Sequence, residues 1–370
     1  MTTPLAKKLR RLIEATGPIS VADYFSACLG DPEFGYYRTR EPFGAAGDFI
    51  TAPEVSQLFG EMIGIFLVSA WQAHGRPDTV RLIEIGPGRG TLMADAQRVI
   101  QKLAPDFTET ASAHLVETSE RLTQIQRETL ANAPIDCRWH STLTDVPEGF
   151  TLLFCNELFD ALPIRQFINT DAGFQERLVT VGDDGTLAFG VGTAAIEPDA
   201  LPGPARPGDI FEIAPAREAV MAEIAARLRH CSGTALVVDY GHLKSGFGDT
   251  LQAVRRQAFA DVLEAPGECD LTSHVDFEAL AAAAASEGVK IWPAMTQGTF
   301  LLELGLLQRA GALGSGASAA MQEEIHNSVE RLAGTGQGQM GSLFKVLCVS
   351  GSDIPLAPFA RGTGASEGPS

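Results

Sequence analysis

Val80-Arg81-Leu82-Ile83-Glu84-Ile85-Gly86-Pro87-Gly88-Arg89-Gly90-Thr91 reads as a short buried strand, a glycine-rich turn and the first residue of a helix that runs to about Leu103. Glycines at such a turn let the chain double back and let backbone amides approach a ligand with no Cβ in the way. Working outward, the same rhythm repeats. Ala113 to Val116 predicts a strand ending at Glu117, residues 119–131 a helix, Ile135 to Trp139 a third strand and residues 151–155 (TLLFC) a fourth. Short buried strands alternating with helices require a parallel sheet with right-handed crossovers, a Rossmann-like α/β fold. Residues 234–239 (TALVVD) predict a fifth parallel strand, and strands near 289–292 and over 343–349 complete the array.

Three regions break the rhythm. Residues 1–30 predict two short helices interrupted at Gly17-Pro18, followed by an irregular Gly- and aromatic-rich stretch and one helix over 53–74. Residues of about 164–213 predict an antiparallel β insertion, and about 241–273 a second, irregular insertion. The resulting division is an N-terminal helical region with a lid over 1–79, a ligand-binding domain over 80–350 carrying both insertions, and a disordered tail over 351–370.

Composition narrows the function. With 45% hydrophobic residues the 370-residue chain has ample material for a core, and its net charge of −18 repels nucleic-acid phosphate. The six cysteines are scattered, with neither a C-x-x-C pair nor metal-ligand spacing, so no metal is expected. The longest apolar runs fall short of the roughly 18 residues of a membrane span, and the start lacks a secretory pattern, which predicts a cytoplasmic protein.

The turn spacing is G-x-G-x-G. A dinucleotide fingerprint would place its third glycine at position 91, where Thr91 stands, and Glu84 would repel a pyrophosphate. The same acid suits the ammonium group of S-adenosylmethionine (SAM), and Glu117 suits its two ribose hydroxyls. Gly86, Gly88, Gly90 and Thr91 would complete that cofactor site. Asn156-Glu157-Leu158-Phe159-Asp160 follows the fourth strand, at the sheet edge where ligands bind. Methyl transfer needs alignment and desolvation of an acceptor rather than a metal. Glu157 and Asp160 would hold a guanidinium in bidentate fashion and Asn156 would add one orienting bond; a lysine or a small amine fits two acids equally well. Asp48, Thr51 and Glu54, in GDFITAPE, and His274, in DLTSH, are candidates for the acceptor side of the crevice.

EIGPGRGTLM at 84–93, GDFITAPEVSQLFGE at 47–61, CNELFDALPIRQF at 155–167, VVDYGH at 237–242 and DLTSHVDF at 270–277 resemble the MidA-like family of SAM-dependent methyltransferases. That resemblance implies a seven-stranded class I methyltransferase sheet, methylation of a protein arginine in a subunit of respiratory complex I, and a role in the assembly of that complex. It places the cofactor loop on Gly86, Gly88 and Gly90 and the acidic segment on Asn156, Glu157 and Asp160. Two other readings remain: a SAM-holding assembly chaperone without essential catalysis, and an NAD-linked oxidoreductase, which Thr91 and Glu84 disfavour. Oligomerisation stays open.

Overall fold

The computed structural model describes residues 3–39, 51–197, 199, 201–255 and 257–360. It forms two compact units. One, here the insertion unit, gathers Met1–Ile50, Phe159–Ala219 and Lys244–Asp276; the other, the sheet unit, gathers Thr51–Leu158, Val220–Leu243 and Phe277–Ser370. The chain is therefore not divided at residue 79. The N-terminal helices and both insertions share one core, because their apolar stripes are each too small to form a core alone.

Seven strands of the sheet unit carry the fold: β1 (Val80–Ile85), β2 (Ala111–Val116), β3 (Cys137–His140), β4 (Phe150–Asn156), β5 (Gly233–His242), β6 (Lys290–Thr296) and β7 (Phe344–Ser350). They run in the order β6-β7-β5-β4-β1-β2-β3. The first five are parallel, with Ile85 beside Val116 and Glu84 beside Phe154 in register, and β7 pairs antiparallel to both β5 and β6. The order reverses at β1, so β1 and β4 flank the switch point where such sheets bind ligands. This is the sheet the resemblance implies.

The helix expected over 53–74 is two, Ala52–Val55 and Gln57–Ala73. Ser56 separates them because its extended backbone and its hydroxyl, which accepts from Leu58 N at 3.3 Å, cap the second helix. Gln57–Ala73 lies close against the helix Thr91–Leu103, and Gly60 permits it: a Cβ there would sit 2.6 Å from that of Asp95. Sequence periodicity predicts two helices between 299 and 333, and the described residues form three, Gln297–Glu303, Leu306–Gly314 and Ala319–Ala333, since Gly305, at φ +97°, caps the second. Part of the expected disordered tail is ordered. Leu356 and Phe359 are buried in the core, Phe359 edge-on to Phe66, and residues 361–370 lie outside the described residues.

In the insertion unit, Leu5, Leu9 and Ile13 of the helix Pro4–Thr16 join Val21, Tyr24, Phe25 and Cys28 of Val21–Gly30 in one cluster with Val179 and Leu271. The first insertion is the expected antiparallel sheet, with Arg165–Thr170 between Gly173–Val181 and Ile210–Ile213. The second is not irregular throughout. Gln252–Arg255 pairs with both Ala258–Ala260 and Asp270–Thr272. Among the described residues all six cysteines are free thiols, and no helix is long and apolar enough to cross a membrane.

Candidate functional site

The glycine turn between β1 and the helix Thr91–Leu103 holds Gly86, Gly88 and Gly90 at φ of +68°, +53° and +82°. Side chains rarely adopt that region, which explains the three glycines. The turn is anchored from both ends, Gly86 N donating to Val116 O and Gly90 N to Pro87 O. Gly90 caps the helix with no side-chain acceptor, so the first amides of Thr91–Leu103 are left for a ligand or solvent.

Glu84, the penultimate residue of β1, is only 2% exposed, and its Oε2 is buried with no hydrogen-bond partner among the described residues. Burial pushes its carboxyl up to about 8. A buried carboxyl with an orphaned oxygen is costly and calls for a partner that the described residues do not supply. Asn156, which ends β4, repeats the pattern: its Nδ2 donates to Glu157 Oε1 at 3.0 Å, while its Oδ1 is buried without a partner among the described residues.

Glu117 follows β2 directly. Its backbone N–H donates to His140 O, its Oε1 accepts from Ser119 N at 2.7 Å, and its Oε2 accepts from Gln126 Nε2 at 3.1 Å. Burial raises its carboxyl, and these hydrogen bonds oppose the rise. A carboxylate offers about four acceptor positions, and with the backbone N–H of Thr118 also bonding to it, this one keeps room for a ribose hydroxyl.

Glu157 adopts φ +51°, a strained conformation for a side-chain-bearing residue. The strain turns its carboxylate so that Oε1 accepts from the backbone N–H of Ala52 at 3.3 Å. Thr51 sits at the N-cap of that short helix without capping it by its own hydroxyl. Glu54, one turn on, accepts from the Thr91 hydroxyl at 2.8 Å and pairs with Arg89 at 3.6 Å. Thr91 and Glu54, expected on the cofactor and acceptor sides respectively, thus satisfy one another.

The sheet unit therefore brings together Glu84, Gly86, Gly88, Gly90, Thr91, Glu117, Asn156, Glu157, Thr51 and Glu54. Asp48 lies outside the described residues. Asp160 and His274 belong to the insertion unit. There Arg217, fully buried, gathers them through their backbones, donating to Asp160 O, Leu162 O, His274 O and Ser273 O. Sequence reading missed Arg217 and Gln126. The signal was present in both: Arg217 heads the stripe completed by Met221, Ile224 and Leu228, and Gln126 lies between Leu122 and Leu130. A polar residue on the apolar face of a helix must find internal partners. Among the described residues no three His, Cys, Asp or Glu side chains gather as a metal site would require.

Residues 62–294 match the family model described as S-adenosyl-L-methionine-dependent methyltransferase. A Danio rerio protein named protein arginine methyltransferase NDUFAF7, mitochondrial, is 35% identical over 368 residues, covering 93% of this chain and 86% of its own length. The Homo sapiens protein of that name is 36% identical over 327 residues, with 82% of this chain and 74% of its own covered. A Burkholderia thailandensis crystal structure with S-adenosyl-homocysteine bound superposes with a TM-score of 0.85 at 30% identity, covering 97% of this chain and 95% of that one. A native structure from the same organism gives 0.83 at 28% identity, covering 97% and 94%. The mitochondrial names of the curated relatives overturn the cytoplasmic expectation, which rested on the appearance of the first residues of the sequence.

Proposed function

This chain belongs to the family of S-adenosyl-L-methionine-dependent methyltransferases and uses SAM as its cofactor, and on that premise we propose that it methylates an arginine of a protein substrate, a subunit of respiratory complex I, during assembly of that complex. The observation that carries the site assignment is the pair of orphaned buried acceptors, Glu84 Oε2 and Asn156 Oδ1, at the carboxyl edges of the neighbouring strands β1 and β4. Both fit cationic or N–H-bearing groups, which the amino-acid end of SAM and a guanidinium supply.

When bound, SAM supplies a methyl group already activated by its sulfonium. The residues of the chain then have to hold and orient. Glu84 receives the cofactor ammonium, the amides that open the helix Thr91–Leu103 receive its carboxylate, and Glu117 accepts from a ribose hydroxyl. The left-handed turn at Gly86, Gly88 and Gly90 keeps side chains away from the cofactor. Glu157 and Asn156 grip the acceptor guanidinium and stop it rotating, and the Glu157 carboxylate is the base available for the proton released on methylation. The net charge of −18 favours approach of a basic protein segment. The arginine specificity is supported by the names of the relatives and by the chemistry of paired acids.

The test is transfer of labelled methyl from SAM to a preparation of complex I subunits, followed by mass-spectrometric mapping. Label on an arginine, lost in Glu157→Ala while SAM still binds, is the expected result. Label on lysine or on small amines alone would refute the acceptor assignment.

A further inference from the structure

Gln126, in the helix Glu120–Thr129, is completely buried, and both ends of its amide are in use. Its Nε2 donates to Gly88 O at 2.8 Å and to Glu117 Oε2 at 3.1 Å, while its Oε1 accepts from Trp139 Nε1 at 2.9 Å. The indole can only donate, so Trp139 dictates which end of the amide is oxygen and turns the NH2 toward the glycine turn and the acid. Trp139 is itself held in β3, with the Arg127 guanidinium 4.2 Å above its ring. One amide group thus ties the middle of the turn after β1 to the carboxylate after β2, using both of its N–H bonds.

We propose that Gln126 is a positioning residue of the SAM site: it sets the spacing between the Gly86–Gly90 turn and Glu117 and aims the Glu117 carboxylate at the ribose. The inference rests on the reading of Glu117 as the ribose acceptor. The same Nε2 that bonds to Glu117 also bonds to the turn. Three features support a tuned role over simple core filling. A buried apolar residue would fit the stripe between Leu122 and Leu130; the hydrogen bond from Gln126 counters the upward push of burial on the Glu117 carboxyl; and a Cβ added at Gly90 would sit 3.5 Å from the Gln126 Cα, so the helix runs close beside the turn. Gln126 aims the ribose acceptor through Glu117, and its bond to Gly88 serves to hold that acid at the right spacing from the turn, so its effect on affinity is expected to depend on Glu117.

That dependence is measurable by calorimetric titration of SAM into the full chain and into Glu117→Gln, Gln126→Met and the double variant. Glu117→Gln and Gln126→Met are each expected to weaken binding about tenfold, the loss typical of a hydrogen bond to a charged group. The double variant is expected to bind within about twofold of Glu117→Gln alone, because the second change acts through the first. Gln126→Glu guards against a folding failure of the methionine variant. It keeps the shape and the acceptor for Trp139, sets a second carboxylate against Glu117, and should weaken SAM binding in the wild-type background but not beside Glu117→Gln. Losses that multiply in the double variant, or wild-type binding by both Gln126 variants while Glu117→Gln is impaired, would overturn the inference alone. Wild-type binding by Glu117→Gln would overturn the reading of Glu117 and this inference with it.

Discussion

The Glu157 carboxylate accepts the backbone N–H of Ala52 at 3.3 Å, so an acid at the end of β4 caps a helix that begins 105 residues earlier. One side chain therefore serves two roles, fixing the entry to the helix Ala52–Val55 and offering charge at the sheet edge. The roles separate on substitution. Glu157→Gln keeps an oxygen for the cap but loses the charge, and is expected to lower the methyl-transfer kcat at least about a hundredfold with little change in melting temperature. Glu157→Ala is expected to lose activity and also about 1 kcal/mol of stability, the usual value of a lost N-cap. Steady-state kinetics beside thermal melts checks both. Equal activity in wild type and Glu157→Gln would leave the residue as a cap only.

Glu84 is expected to couple cofactor binding to proton release. Its carboxyl is raised to about 8 by burial, so at pH 7 the SAM-free protein holds it mostly protonated. The cofactor ammonium favours the ionised form, so binding should expel close to one proton per site. Calorimetry of SAM binding at pH 7 in buffers of different ionisation enthalpy measures that number, and Glu84→Gln should bring it near zero. The sign for stability is equally definite. The folded state binds the proton more tightly than the unfolded chain, so Glu84 makes the SAM-free protein less stable as pH rises from about 4.5 to 8. Glu84→Gln should therefore melt above wild type at pH 8, with the difference shrinking toward pH 5.

The parallel strands, the glycine turn and Glu117 were legible because each has a local signature: β1, β4 and β5 are near-continuous apolar runs, and the left-handed turn permits few residues but glycine. Glu84 drew attention because it is an acid just before the glycine turn, and its burial is what the structure adds. What local pattern could not show was partnership. Thr91 and Glu54 are 37 residues apart and meet only because Ser56 breaks the preceding helix and aims its first turn at the glycine loop. Asp160 and Asn156 are four residues apart, yet the boundary between the two units falls at Leu158–Phe159. The union of the N-terminal helices with both insertions depends on long-range pairings such as Ile19 with Val179, which carry no periodic signal.

His114 and His140 form a hydrogen-bonded pair with rings tilted at 33°, His114 Nδ1 lying 2.9 Å from His140 Nε2 and His114 Nε2 2.9 Å from Ser112 Oγ. Burial first, then the positive neighbours His140, Arg81, Arg138 and Arg227, push the fully buried His114 down to about 4. The unfolded chain binds a proton near 6.5, so stability from this site is complete above that pH and is lost as pH falls toward 4. The span corresponds to at most about 3 kcal/mol. Denaturant titrations at pH 7.5, 6 and 5 should show wild type losing stability over this range and His114→Asn losing measurably less. Parallel slopes would show that the pair titrates as it does in the unfolded chain.

Arg217 is expected to be among the most sensitive positions of the insertion unit. Its guanidinium donates to the carbonyls of Asp160, Leu162, Ser273 and His274, and Ser273 N donates in turn to Asp160 O at 3.2 Å. The two segments so joined, 160–162 and 273–274, are separated by more than a hundred residues of sequence and belong to two of the motifs that mark the family. Arg217→Met would keep much of the buried volume but leave several buried carbonyls unpaired, each costing about 1–3 kcal/mol. Arg217→Lys would retain charge but cannot span the same acceptors, since an ammonium has three donors on one atom and a guanidinium five in a planar fork. Both variants should therefore destabilise, lysine less than methionine. Hydrogen exchange should locate the loss, with faster exchange at Ser273 and His274 than in β1 or β5. Uniform acceleration across both units would mean that Arg217 supports the whole chain and does not specifically tie these two segments together.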